Sequence, residues 1–204
     1  MMKKLLLSLV VMLLAVGVMA QHREGTFTVQ PKVGMNISSL TDADKTIVAL
    51  NFGMESEYMV TDNFSLAAGL HLSNQGAKYD DGTTKYTADL DYVNVPIVAN
   101  VYVLPGLAVK AGVQLGYRTN AKIKTDDGTM DMDAYYKLAG FVLGEDYKIS
   151  KFDLSIPVGI SYEYNNIVLD ARYNWGLIKV ENYGDPYYNR VFQLTLGYKF
   201  ELDF

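Results

Sequence analysis

From Thr26 onward the chain alternates apolar and polar residues with a period of two, the signature of β-strands. The run Asn189–Phe204 shows it most cleanly. Phe192, Leu194, Leu196, Tyr198, Phe200, Leu202 and Phe204 share one face, and Gln193, Thr195, Gly197, Lys199, Glu201 and Asp203 the other. Seven earlier runs repeat the pattern, at about Thr26–Ser38, Ile47–Val60, Phe64–Gln75, Leu90–Leu104, Leu107–Ile123, Lys151–Tyr164 and Ile167–Val180. Eight strands are therefore predicted. Their connections alternate in length. Thr61–Asn63, Leu104–Gly106 and Asn165–Asn166 are tight turns rich in Asp, Asn, Pro and Gly, while longer segments lie near Ser39–Thr46, Gly76–Asp89, Lys124–Ser150 and Lys179–Tyr188. The strands after the three short turns open FSLAAGL, LAVKAGV and IVLDARY, each with Ala fifth, at Ala68, Ala111 and Ala171. This reads as a hairpin repeat.

One face of every strand is continuously apolar, and the other is rich in Gly, Ser, Asn and Gln with charges of both signs. A soluble barrel would show the same alternation with its polar face in water, and that face would be rich in Lys and Glu. The composition instead suits an outer face in lipid and a packed lumen. The many tyrosines near strand ends suit interfacial girdles. The expected fold is all-β, an eight-stranded antiparallel up-and-down transmembrane β-barrel, with every short turn on the periplasmic side. Pro31, Pro96 and Pro157 conflict with this locally, because each removes a ladder hydrogen bond in a barrel that has no free edge. Bulges or broken pairing are expected there.

The first residues change the setting. Lys3 and Lys4 precede the apolar run Leu5–Val18, and Val18-Met19-Ala20 supplies small residues for cleavage. Residues 1–20 are thus expected to be a signal peptide and residues 21–204 the barrel domain, in the bacterial outer membrane. Losing two lysines would move the formal charge from -5 to about -7. That acidity argues against nucleic acid as a partner. With no cysteine in the chain, disulfides and thiolate metal sites are excluded. After Ala20 no run is long enough for a membrane helix, so a spanning structure must be a closed barrel.

Two resemblances follow from particular residues. Thr195, Gly197, Phe200 and Leu202, closed by Phe204, resemble the C-terminal assembly signal of bacterial outer-membrane barrels. That implies the barrel assembly machinery as a partner during biogenesis. The runs LDYVNVPIVANVYVLPGLAVKAGVQLGY, FDLSIPVGISYEYNNIVLDARYNWGL and VFQLTLGYKFEL resemble the outer-membrane β-barrel family common in Bacteroidota, whose members are often labelled porin-family or PorT-family proteins. The resemblance covers essentially the whole chain after the leader. It implies an eight-stranded barrel among outer-membrane lipids and says little about activity.

Parity places Lys32, Lys110, Arg118, Arg172 and Lys199 in the lumen, together with Glu55, Glu57, Asp153, Glu163, Asp170 and Glu201. An eight-stranded barrel is just wide enough for side chains to fill, so these charges must pair. Arg172 is expected between Glu163 and Glu201 on the neighbouring strands. The expected function is a small barrel of structural or interaction type with a lumen closed by paired charges. The alternatives are a narrow low-conductance pore and, more distantly, a lipid-modifying enzyme. An enzyme would need a His with partners at the outer rim. Here His22 lies in the N-terminal tail and His71 turns inward beside Ser73, so neither a catalytic residue nor a cofactor is assigned. Asp80-Asp81 and Asp126-Asp127 read as turns and lack calcium-loop spacing, so no metal site is assigned. Within Lys124–Ser150, Tyr135, Leu138, Ala139 and Val142 have helical spacing. This segment is expected to be either a lid packed on the barrel mouth or a surface for an extracellular partner.

Overall fold

A computed structural model describes residues 22–40, 45–80, 85–125, 128–143, 149–180 and 187–202. The expected leader, its cleavage after Ala20 and the terminal Phe204 lie outside the described residues. The strands are β1 (Phe27–Leu40), β2 (Lys45–Thr61), β3 (Phe64–Asp80), β4 (Lys85–Leu104) and β5 (Leu107–Thr125). A short β6 (Gly128–Asp131) and the helix α1 (Met132–Leu143) follow, then β7 (Phe152–Tyr164), β8 (Ile167–Lys179), β9 (Tyr188–Tyr198) and β10 (Phe200–Leu202). Antiparallel pairing runs in the order β1-β2-β3-β4-β5-β7-β8-β9, β6 folds back on β5, and β9 with β10 closes onto β1. Only Lys199 separates β9 from β10, so the ring has eight strands. The tight turns fall where the sequence puts them. Asn165 and Asn166 both adopt positive φ (48° and 67°), the backbone a two-residue hairpin requires.

The three prolines are accommodated without a register shift. Pro31 pairs with Met54, Pro96 with Gln114 and Pro157 with Asn174 in regular ladders. On its other side each proline sits in a gap. Pairing lapses between Val29 and Lys32 against β10 and β9, between Ala68 and His71 against β4, and between Ala111 and Gln114 against β7. The register resumes unchanged beyond every gap. Each gap lies where the proline has no N–H to give. The Pro31 gap is what splits the last strand into β9 and β10.

Alternation sorts the side chains. Leu50, Phe52, Leu70, Val113, Ile160 and Leu196 are exposed on the outer face, and Asn36, Asn51, Asn100, Lys110, Asp170 and Arg172 are buried inside. Along β7 the outward apolar positions run from Phe152 to Tyr164. At ordinary strand rise and tilt that is about 30 Å of membrane. Aromatic rings mark both edges of the belt. Tyr117 and Phe152 contact one another near the outer end and Tyr198 and Phe200 near the periplasmic turns, while Tyr173 and Trp175 meet between the middle of the belt and its outer end.

β3, β4 and β5 are longer than expected. Their outer ends run on through residues assigned to the Gly76–Asp89 and Lys124–Ser150 loops. Above the belt their outward side chains are polar. Asn74 Nδ2 donates to Asp89 and Asp91 (2.6 Å each), Asn120 Nδ2 donates to Asp91 (2.9 Å), and Lys124 pairs with Asp89. A polar outer face cannot lie in hydrocarbon, so these ends stand in water. Burial disfavours the Asp89 carboxylate, but the hydrogen bonds from Lys124 and Asn74 outweigh it and hold its pKa below the ordinary value.

A bulge changes parity in this extension. Tyr92 faces Arg118 but Asp91 faces Asn120, leaving Thr119 as an extra residue in β5. Beyond it Ala121 and Ile123 turn inward instead of Asn120 and Lys122. They join Leu40, Ala77, Ala88, Leu90 and Val180 in an apolar cluster that fills the outer mouth.

Candidate functional site

The lumen is filled in three layers. The middle layer is ionic. Asp170 on β8 is fully buried and accepts from Lys32 Nζ (2.9 Å), Lys110 Nζ (2.6 Å) and Arg172 (Nε 2.8 Å, Nη2 2.7 Å). Arg172 also forks onto Glu55, with Nη1 to Oε1 at 2.6 Å and Nη2 to Oε2 at 2.7 Å. Lys32 reaches Glu55 at 2.7 Å. Planar guanidinium matches carboxylate geometry, which a flexible ammonium does not. β8 and β2 lie three strands apart in the ring, so the Arg172–Glu55 pair spans most of the lumen.

His71 belongs to this layer. Its Nδ1 lies 2.9 Å from Asn51 Oδ1 and its Nε2 3.0 Å from Glu55 Oε1, so both ring nitrogens are engaged. Gly53 faces it across the ladder. A Cβ at Gly53 would come within 2.5 Å of the imidazole, so only glycine leaves room for the ring.

The periplasmic layer centres on Lys199. It bonds Glu57 (2.8 Å), Glu163 (2.8 Å) and the hydroxyl oxygen of Tyr102 (2.8 Å). Tyr102 O–H donates to Glu57 Oε1 (2.7 Å), where Asn100 (2.9 Å) and Ser65 also donate. Tyr102 on β4 lies opposite Lys199 in the ring, so one hydrogen bond crosses the whole lumen. The N-terminal segment closes this end. His22 Nε2 is 2.9 Å from Glu163 Oε1, and its Nδ1 is 3.3 Å from Glu201 Oε2. Gly25 N donates to Met59 O (2.8 Å). The bond to Glu163 raises the His22 pKa above its ordinary value, against the opposing effects of burial and Lys199.

The outer layer is held by Tyr92 and Arg118. Asn189 Nδ2 reaches the Tyr92 hydroxyl (3.2 Å), again from the opposite strand. Asp153 is buried here beside Asn189. Arg118 turns up toward the loop. Its Nη1 and Nη2 clamp Asp133 of α1 (3.1 and 2.7 Å), and its Nε donates to Ser150 O (3.1 Å). α1 is capped by Asp131 Oδ1, which accepts the Ala134 N–H at 2.8 Å. Its Met132 and Tyr136 pack on the mouth cluster. Its other face is exposed, with Leu138, Phe141 and Val142 in solvent. Between α1 and the barrel wall is an apolar cavity of about 600 Å³, lined by residues that include Leu40, Leu90, Tyr79, Tyr86, Met132 and Tyr136.

The expected lumen charges are therefore all located, with corrections to their partners. Arg172 does not sit between Glu163 and Glu201. Glu163 lies beside the Asn165–Asn166 turn, opposite Val168, too near the periplasm to meet Arg172. Glu201 lies at the periplasmic rim, about half exposed, beside His22. Arg118 grips the loop instead of a lumen acid. The apolar stripe expected of the helix also differs, since Leu138 and Val142 are exposed while Met132 and Tyr136 make the contact and a half-exposed Tyr135 lines the cavity beside them. His22, expected only as part of the N-terminal tail, closes the periplasmic end, and nothing in its sequence neighbourhood marks that role. Tyr102 and Asn100 fall inward by the same alternation, but nothing in the sequence marks them as ligands of Glu57. Among the described residues no group of three metal-ligating side chains is gathered, and no helix is long and apolar enough to cross a membrane.

A closed antiparallel ring with a lipid-facing belt, aromatic girdles and a packed polar lumen defines an outer-membrane β-barrel protein. Residues 19–182 match the family described as "Outer membrane protein beta-barrel domain". The chain belongs to that family, and so to the bacterial outer membrane. No curated protein matches it. Among solved structures it is similar to the Neisserial surface protein NspA, at 15% identity and TM-score 0.51, with 87% of this chain and 100% of that one covered. It is also similar to the attachment invasion locus protein Ail of Yersinia pestis, at 15% identity and TM-score 0.48, covering 87% and 99%. For OprG of Pseudomonas aeruginosa the values are 14% and 0.45, covering 88% and 97%. At these identities the likeness is one of fold.

Proposed function

We propose that this protein is a barrel of structural or interaction type, closed to ions by its own lumen side chains and making its contacts at the outer mouth. The middle layer carries the reading. Asp170, Arg172, Glu55, Lys32 and Lys110 bond one another across the lumen at 2.6–2.9 Å, so an ion would have to displace charge-assisted hydrogen bonds. The lumen signs balance. Buried Lys32, Lys110, Arg118, Arg172 and Lys199 are matched by buried Glu55, Glu57, Asp153, Glu163 and Asp170, leaving no net field to select an ion. The non-enzymatic reading rests on His71, whose two nitrogens are occupied at mid-lumen, away from the rim. In this reading residues 1–20 direct export, Thr195, Gly197, Phe200, Leu202 and Phe204 present the strand to the barrel assembly machinery, and residues 124–150 meet an extracellular partner. The runs quoted above support kinship with the Bacteroidota-type, PorT-labelled barrels.

Planar-bilayer recording tests it. The wild type should be silent, and Arg172→Ala, which removes the group spanning the lumen, should leak. Steady, defined conductance from the wild type would overturn the reading in favour of a narrow pore.

A further inference from the structure

The outer mouth holds two recesses that share a wall. One is the apolar cavity beneath α1, about 600 Å³, within the range that takes a small-molecule ligand. The other is a shallow site lined by Lys45, Lys78, Lys85 and Lys124; Asp89, the partner of Lys124, lies outside its lining, so the described lining residues carry four positive charges against one adjacent carboxylate. Tyr79, Tyr86 and Thr125 line both. The two tyrosine rings stack with centroids 4.7 Å apart and 17° between planes, a flat divider between grease and charge. We propose that the mouth binds a single-chain anionic amphiphile, its hydrocarbon tail in the cavity under α1 and its acidic head at the lysines beyond the Tyr79–Tyr86 pair.

Three observations select that class. Burial of Leu40, Leu90, Met132 and Ile149 around the cavity favours hydrocarbon. The lysines favour an anion over a neutral or cationic head. The height of the site selects a ligand free in the outer medium over a resident lipid. Asn74, Asp89, Asp91 and Asn120 make the outward surface of this region polar and hydrogen-bonded, so the cavity stands above the bilayer. A two-chain lipid would have to leave the membrane to reach it. The Thr119 bulge builds the site, because it turns Ala121 and Ile123 into the mouth while sending Lys122 and Lys124 outward.

The inference rests on contacts being made at the mouth, but not on the lumen being closed. A conducting wild type that still bound the amphiphile would overturn the sealed lumen and leave this site standing. The test uses the full chain in phospholipid nanodiscs, with 11-(dansylamino)undecanoic acid as the fluorescent probe and myristate as competitor. Saturable binding is expected, with displacement by myristate at least tenfold better than by myristyl alcohol or a cationic single-chain amphiphile. Ala88→Phe, which fills the cavity from β4, should weaken probe binding at least tenfold while the barrel still shifts on heating in a detergent gel. Lys78→Gln with Lys85→Gln should weaken myristate several-fold and leave the alcohol unchanged. A shift of probe from bilayer to protein that is equal in wild type and Ala88→Phe, or an alcohol that competes as well as myristate, would overturn the proposal. So would tighter binding of a two-chain anionic phospholipid than of myristate.

Discussion

Asp170 and Arg172 are both buried in the same ionic cluster, yet their removal should not be equivalent. Asp170 binds three cations, Lys32, Lys110 and Arg172, and Glu55 is the only other carboxylate bonded to this cluster among the described residues. Asp170→Ala leaves three positive charges on one carboxylate. Arg172→Ala leaves Lys32 and Lys110 against Glu55 and Asp170, one cation for each carboxylate where the wild type has three cations on two. Breaking a buried pair costs about 3–5 kcal/mol when a charge is left uncompensated. Asp170→Ala should lie at the top of that range. Arg172→Ala should lie lower, near about 2–3 kcal/mol, because what it loses is hydrogen bonds to charged groups rather than neutrality. Leu169→Ala is the control. Leu169 is half exposed on the lipid face, so its methyl groups exchange one apolar environment for another and the cost should stay below about 1 kcal/mol. The assay is reversible urea unfolding in lipid vesicles, followed by gel shift and Trp175 fluorescence. Equal losses for the two lumen variants, or a larger loss for Arg172→Ala, would refute the charge-balance argument.

Other expectations follow from single groups. His22 has a raised pKa in the folded protein, so its bond to Glu163 contributes stability fully below its unfolded value near about 6.5 and loses it as pH rises through the folded value. The stability difference between wild type and His22→Ala should therefore shrink from pH 5 to pH 9, and a difference that grows with pH would contradict the assignment. Arg118→Ala removes the clamp on Asp133 and Ser150, so limited proteolysis should cut within residues 124–150 at least tenfold faster with the barrel intact. Unchanged cleavage would mean that the apolar contacts of Met132 and Tyr136 hold α1 alone. Deleting Phe204 should reduce insertion in cells while folding into detergent micelles persists; normal insertion of the deletion would remove the terminal aromatic from the assembly signal.

Facing was readable from the chain because it is a two-residue property. Cβ atoms alternate across a strand whatever lies beside it, so Lys32, Glu55, Lys110, Asp170 and Arg172 could be sent inward one strand at a time. The strand number and the tight turns follow from the same alternation and from the Asn, Asp, Pro and Gly that punctuate it. Depth is different. It depends on how far each strand slides against its neighbours around the ring, and no single strand carries that information. Alternation alone therefore sends Glu163 toward Arg172, whereas it belongs to Lys199 and His22, and sends Glu201 into the lumen, whereas it lies at the rim. The bulge at Thr119 is hidden for the same reason, since an extra residue exists only relative to a partner strand. The apolar mouth is thus a product of tertiary pairing. Ile123 looks outward or inward according to a count made across β4 and β5, and only the closed ring makes that count.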